Sequence, residues 1–162
     1  MQLKEVISKR KSIRSFQMWK EVPDLTEAIC LAKKCPSAGA IRGYWVHVTT
    51  EKIAPYNAPA YVVICCDPAA YESRYGVRGM ELYAIQDATI FGAYLQLILT
   101  DMGLATCWIG AFYEDKVKEI LGIPQDIRVV ELLALGYPAK PSSTHKDRLS
   151  IEEIVMHERW SK

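Results

Sequence analysis

Apolar and polar residues alternate along this chain in two rhythms. Leu3, Val6 and Ile7 fall at helical spacing and predict a short first helix reaching about Arg10. Pro23-Asp24-Leu25-Thr26-Glu27 predicts a second helix start, with proline early and acids in the first turn. Leu25, Ala28, Ile29 and Ala32 supply its apolar face, and Lys33, Lys34 and Cys35-Pro36-Ser37-Ala38-Gly39 close it. Residues 44–50 alternate and predict a half-buried strand. Residues 61–66 are continuously apolar and predict a strand covered on both faces, ending at Asp67-Pro68. Residues 80–102 form the longest helical pattern, with Gly103 as its stop. Residues 104–110 then predict a strand and 114–121 a short amphipathic helix stopped by Gly122 and Pro124. Residues 129–135 predict a last strand, closed by Gly136-Tyr137-Pro138. A polar loop leads to a final helical stretch over 150–157.

The helix over 80–102 is apolar nearly all round, from Leu82 and Ile85 through Phe91 and Tyr94 to Leu99. A helix without a polar face is buried on several sides, and in so small a chain a second subunit is the expected source of part of that cover. Gln86, Asp87, Thr89 and Gln96 interrupt the pattern, so it does not read as a membrane span. Asp87 reads as a buried polar contact. Strands alternate with helices through uneven connections. The predicted class is therefore α+β, a mixed central sheet packed by helices, in a single domain over 1–162.

Composition removes several function classes. Half the residues are hydrophobic and the formal net charge is +1, which excludes a disordered tail and a nucleic-acid surface driven by bulk charge. Met1-Gln2-Leu3-Lys4-Glu5 leads into a charged helical pattern rather than a leader. Cys30, Cys35, Cys65, Cys66 and Cys107 lie in apolar surroundings with no Cys-x-x-Cys, and predict buried reduced thiols in a cytoplasmic protein. The three histidines are scattered and no metal site is predicted. Neither a Gly-x-Gly-x-x-Gly after a strand nor a P-loop is present.

Four stretches carry candidate chemistry. Arg10-Lys11-Ser12-Ile13-Arg14-Ser15-Phe16 packs three cations and two hydroxyls into seven residues, a dense set of donors for a phosphate. Pro36-Ser37-Ala38-Gly39-Ala40 is a small-residue loop that lets backbone approach a flat ligand. Residues 103–112 are an apolar strand ending in Gly110-Ala111, which leaves backbone N–H groups free for a ring nitrogen. Lys146-Asp147-Arg148 adds two late cations. Each stretch taken singly also fits an ordinary structural role.

Together and in this order they resemble the FMN-dependent nitroreductase family. Its opening Arg-Arg-Ser-x-Arg-x-Phe is matched by residues 10–16 with Lys11 for the second Arg, and its Pro-Ser-Ala loop by Pro36-Ser37-Ala38. Its Gly-Leu-Gly-Thr-Cys-Trp-Ile-Gly is matched by residues 103–110 with Ala105 for the second Gly. Leu-Gly-Ile-Pro, Gly-Tyr-Pro and Lys-x-Arg follow at 121–124, 136–138 and 146–148. The Ser-Ala-Gly-Ala loop, with Arg74-Tyr75-Gly76-Val77-Arg78-Gly79 ahead of the long helix, is more similar to the azoline-oxidase-like dehydrogenase branch.

The resemblance implies a nitroreductase-like sandwich in an intertwined homodimer with FMN at the interface. It implies that Arg10, Lys11 and Ser12 contact the FMN phosphate and ribityl chain, with Arg14 nearby in the cofactor site and Lys146 and Arg148 completing the phosphate site. Ile109, Gly110 and Ala111 would lie along the ring, with a backbone N–H near Gly110 donating to flavin N5. Pro36, Ser37, Ala38 and Gly39 would reach the flavin of the other subunit. It implies an oxidoreductase passing electrons from NAD(P)H, or another donor, to a small oxidised substrate such as a nitroaromatic or quinone. The cycle would be ping-pong, without a catalytic side chain. Residues 51–57 leave no room for a helical lid, so an open pocket is expected. A flavin-binding module without turnover (sensor, store or chaperone) and a flavin-free interaction protein are the other readings.

Overall fold

The computed structural model describes residues 1–140 and 149–160. Its centre is β2 (Ala60–Cys66), buried at every position, as its unbroken apolar run requires. β1 (Tyr44–Thr49) and β4 (Arg128–Gly136) flank it, and β3 (Ala105–Ile109) lies outside β4, giving the order β1-β2-β4-β3. All three strand pairs are antiparallel, with Val63 opposite both His47 and Leu132. Among the described residues the mixed character of the sheet is confined to one parallel bridge, Ser12 to Thr106. Residues 50–59 form a short link without a helix, as expected.

One face of the sheet carries Val62, Ile64, Leu133 and Leu135 against Phe91, Leu95 and Leu99 of α4 (Ala84–Asp101). α2 (Thr26–Ala32) closes this layer through Ala28 and Ala32, next to Leu25. The other face carries Val63, Leu132, Ala134 and Cys107 against Phe16 and against Val117 of α5 (Glu114–Leu121). Gly122 ends α5 in the left-handed conformation at φ 66°, the stop read from the sequence.

Several elements differ from the sequence expectation. The long helix begins well before Met80. A 3₁₀ turn (Pro68–Tyr71), α3 (Glu72–Arg78) and a π turn (Gly79–Tyr83) run directly into α4. Glycine did not stop the run at Gly79, because its bare Cα packs closely: a Cβ there would lie 2.8 Å from the Tyr71 carbonyl oxygen. The whole run, Pro68–Asp101, is long and apolar enough to cross a membrane, yet α4 buries Ala84, Ala88, Phe91, Leu95 and Leu99 against the sheet as a core helix. α1 (Leu3–Lys9) forms as expected but buries only Val6, while Leu3 and Ile7 are exposed. α6 spans only Ile151–Ile154. Cys30 is exposed, against the expectation of five buried thiols. The helical face of α2 turns it outward, and the other four are buried.

Glu131 sits on the α4 face of β4, 1% exposed, with Oε1 unpartnered among the described residues. It occupies the space over Gly92, where a Cβ would approach Oε1 to 1.9 Å. Burial pushes its carboxyl from the ordinary 4.5 up to about 8, and a Thr89 hydrogen bond holds it down only in part. The folded state therefore binds this proton more tightly than the unfolded chain. Its stabilising contribution is complete below pH 4.5 and is lost as pH rises through about 8. Glu131→Gln is expected to flatten that slope and stabilise the protein above pH 8 by about 1–3 kcal/mol. Urea unfolding at pH 5 and pH 9 checks this, and equal slopes in wild type and variant would refute it.

Candidate active site

The basic segment is held in place by backbone hydrogen bonds. Ile13 N–H donates to the Thr106 carbonyl at 2.9 Å, fixing the segment beside β3. Gln17 N–H donates to the Tyr137 carbonyl at 2.9 Å and Ala139 N–H to the Ser15 carbonyl at 3.0 Å, tying it to the end of β4. Phe16 is the buried anchor and rests on Gly136, where a Cβ would meet its ring at 3.2 Å and Pro59 at 2.8 Å. With Phe16 inside, Ser12 and Arg14 face outward and Arg10 and Lys11 are half-buried. The Arg14 guanidinium lies over the Tyr56 ring, 5.5 Å from its centroid. Burial raises the Cys107 thiol pKa, and Arg14 opposes that shift. A buried pair supports the docking point: Gln96 Nε2 donates to Thr106 Oγ1 at 2.8 Å.

β3 leads from this segment to the expected ring contacts. Ile109 is buried as the last strand residue, and Gly110 and Ala111 emerge into solvent. A Cβ at Gly110 would meet nothing within 4 Å, so the chain opens there onto free space. From Thr106 to Gly110 the strand rises about 13 Å. Cations at one end and open backbone at the other suit an extended ligand with an anionic tail and a flat head.

The Pro36–Gly39 loop is built around Asp87, 3% exposed within α4. Its carboxylate accepts from Ser37 Oγ at 2.6 Å, Ala38 N–H at 2.9 Å and the Tyr71 hydroxyl at 2.6 Å. Ser37 Oγ accepts in turn from Arg42 N–H at 2.9 Å, and the Tyr71 oxygen from Gly43 N–H at 3.0 Å. Burial, with the neighbouring Asp87 carboxylate, raises the Tyr71 pKa and keeps it a donor. The loop is strained: Gly39, Ala40 and Arg42 have φ of 57°, 58° and 54°. Gly39 suits its positive φ, and a Cβ there would press on the ends of the Arg74 and Tyr75 side chains, at 2.5 Å from Nη1 and 2.6 Å from the hydroxyl.

Within one chain the two halves of the expected site are apart. Asp87 holds the loop near the start of α4, while Gln96 supports the basic segment about 13 Å further along the helix. Lys146 and Arg148 lie outside the described residues. Asp87 is structural, as its place in an apolar helix suggested. Tyr71 was not foreseen, and its only sequence signal is a large hydroxyl-bearing residue between two helix starts. A cavity of ≈ 520 Å³ lined by Met18, Lys20, Val48, Lys52, Asn57 and Pro59, among others, includes none of the expected flavin contacts. Among the described residues no group of three His, Cys, Asp or Glu could hold a metal.

Residues 47–137 match the model of the nitroreductase family. The chain belongs to that family. A Methanothermobacter thermautotrophicus protein, named for an inferred NADH dehydrogenase/NAD(P)H nitroreductase activity, is 28% identical over 94% of this chain and 88% of its own length. The crystal structure of a nitroreductase family protein from Clostridium difficile 630 superposes with a TM-score of 0.87 at 26% identity, covering 99% of this chain and 100% of that one. An inferred nitroreductase from Exiguobacterium sibiricum, solved in complex with FMN, shares the fold at 17% identity and TM-score 0.87, covering 99% and 98%. NAD(P)H stands in the name of the Methanothermobacter protein, and FMN is the cofactor of the Exiguobacterium complex. The donor set fits that cofactor: Arg10, Lys11 and Arg14 provide charge for a phosphate, and the open backbone at Gly110 has room for a ring.

Proposed function

We propose that this nitroreductase-family chain takes electrons from NAD(P)H and hands them to a small oxidised substrate in a ping-pong cycle, as one domain over 1–162. The reading rests on one observation above the others: the cationic run is fixed along β3, whose far end opens at Gly110. Arg10, Lys11, Ser12 and Arg14 grip the phosphate and ribityl end through charge-assisted hydrogen bonds, with Lys146 and Arg148 joining them. Ile109, Gly110 and Ala111 line the ring, and a backbone N–H near Gly110 orients its N5 edge. Bound FMN supplies the hydride and electron chemistry. No side chain is assigned as an acid or base.

The site is completed by a second copy of the chain, in a cytoplasmic homodimer. Pro36, Ser37, Ala38 and Gly39 then serve the partner's flavin. The separation of the two halves along α4 supports this. So do the apolar side chains that α4 leaves only half-covered, Ile85, Ile90 and Ile98, and the exposed Tyr94.

The test is a visible spectrum of the purified protein under anaerobic conditions, before and after NADH or NADPH. Flavin bands that bleach are the expected result. Bands that persist with both donors would point to a flavin-binding module without turnover. A protein that stays colourless after incubation with FMN would end the proposal.

A further inference from the structure

The helical run before α4 carries features that neither the fold nor the phosphate site accounts for. Arg74 Nη1 donates to the Gly39 carbonyl at 3.0 Å, and its guanidinium lies 5.4 Å from the Tyr75 ring centroid. Arg78 Nε donates to the Tyr83 hydroxyl at 3.2 Å, with its guanidinium 5.6 Å from that ring. Tyr75 and Tyr83 meet edge to face at 5.1 Å. The result is a ladder of cation, ring, ring and cation ending against Gly39.

Both arginines are exposed, and among the described residues neither makes an ion pair, although Glu72 and Glu81 lie on the same run. Their positions are set by a carbonyl, a hydroxyl and aromatic faces, which orient a guanidinium without neutralising it. The backbone between them is unusual. Gly76, at φ 56° and ψ −150°, occupies a region that glycine alone readily adopts, and no packing calls for a glycine there, since a Cβ would meet nothing within 4 Å. A π turn follows at Gly79–Tyr83, a feature frequent at functional sites.

We propose that Arg74 and Arg78, on the Tyr75–Tyr83 pair beside Gly39, form the subsite that selects a flat aromatic substrate bearing a carboxylate. The inference rests on the reading that Gly39 faces a flavin, and it names the substrate class for that site. A guanidinium fork matches a carboxylate in two hydrogen bonds, and the tyrosine edges flank an aromatic ring.

The test uses the purified flavoprotein, with benzoate and its neutral counterpart benzamide as dead-end probes read by perturbation of the flavin spectrum. Benzoate is expected to bind about tenfold more tightly than benzamide. Arg78→Gln is expected to abolish the difference and Arg78→Lys to restore part of it, with flavin content unchanged. Equal binding of the two probes by wild type would overturn the proposal, as would a preference that survives Arg78→Gln combined with Arg74→Gln. A rise in the KM for NADPH but not NADH, with benzoate binding unaltered, would assign the cations to the donor's phosphate and likewise overturn it. If the protein takes up no flavin, the parent reading fails and calorimetry decides the inference separately. Benzoate heat that Arg78→Gln removes would uphold the subsite, and no heat with wild type would sink it.

Discussion

Asp87→Ala is expected to destabilise the folded protein by about 2–4 kcal/mol, because it removes the acceptor shared by one buried and two half-buried donors. The carboxylate is the common acceptor for Ser37, Ala38 and Tyr71, and Tyr71 is wholly buried. Alanine leaves the buried Tyr71 hydroxyl without its acceptor, at about 1–3 kcal/mol, and the half-buried Ser37 and Ala38 donors exchange a charged acceptor for water. The loop has little of its own to fall back on, because Gly39, Ala40 and Arg42 are held at positive φ. Asp87→Asn keeps the shape and one acceptor oxygen, and is expected to cost about half as much. Urea unfolding of both variants checks the pair. A loss below about 1 kcal/mol for Asp87→Ala would mean that the loop is held by other contacts.

Arg10→Ala combined with Arg148→Ala is expected to yield a folded but colourless protein. On the proposed reading each arginine supplies a hydrogen bond to a charged group worth about 1.5–3 kcal/mol, so losing two would weaken binding by roughly 3–6 kcal/mol. That is about a hundredfold or more in dissociation constant. Arg10 follows directly on α1, whose last helical residue is Lys9, so its removal leaves the Phe16 anchor and the β3 bridge in place. Flavin absorbance of the purified double variant is the readout, with far-ultraviolet circular dichroism as the check on folding. A variant that stays fully yellow would refute the assignment of these two residues.

Much of the secondary structure could be read directly. The unbroken apolar run of β2, the alternation of β1 and the stop at Gly122 are local signals, and each element formed where its pattern lay. The run ahead of α4 was less legible. The helical pattern was read from Met80, whereas the chain is already helical from Pro68, with a kink at Gly76 and a π turn at Gly79–Tyr83. Leu3 and Ile7 show the opposite failure. Their spacing gave the helix correctly, yet spacing does not say whether a surface exists to cover them, and within one chain they stay exposed.

By itself the sequence determined the two periodicities, the order of the elements and the run of cations at residues 10–14, because these depend only on neighbours within a turn or two. Tertiary structure decided the strand order β1-β2-β4-β3, the seating of the cationic run against Thr106 and the burial of Glu131 over Gly92. It also decided that Asp87 reaches Ser37 across fifty positions of chain, |i−j| = 50. A buried polar group must find its partner wherever the fold brings one, and no local pattern records where that is.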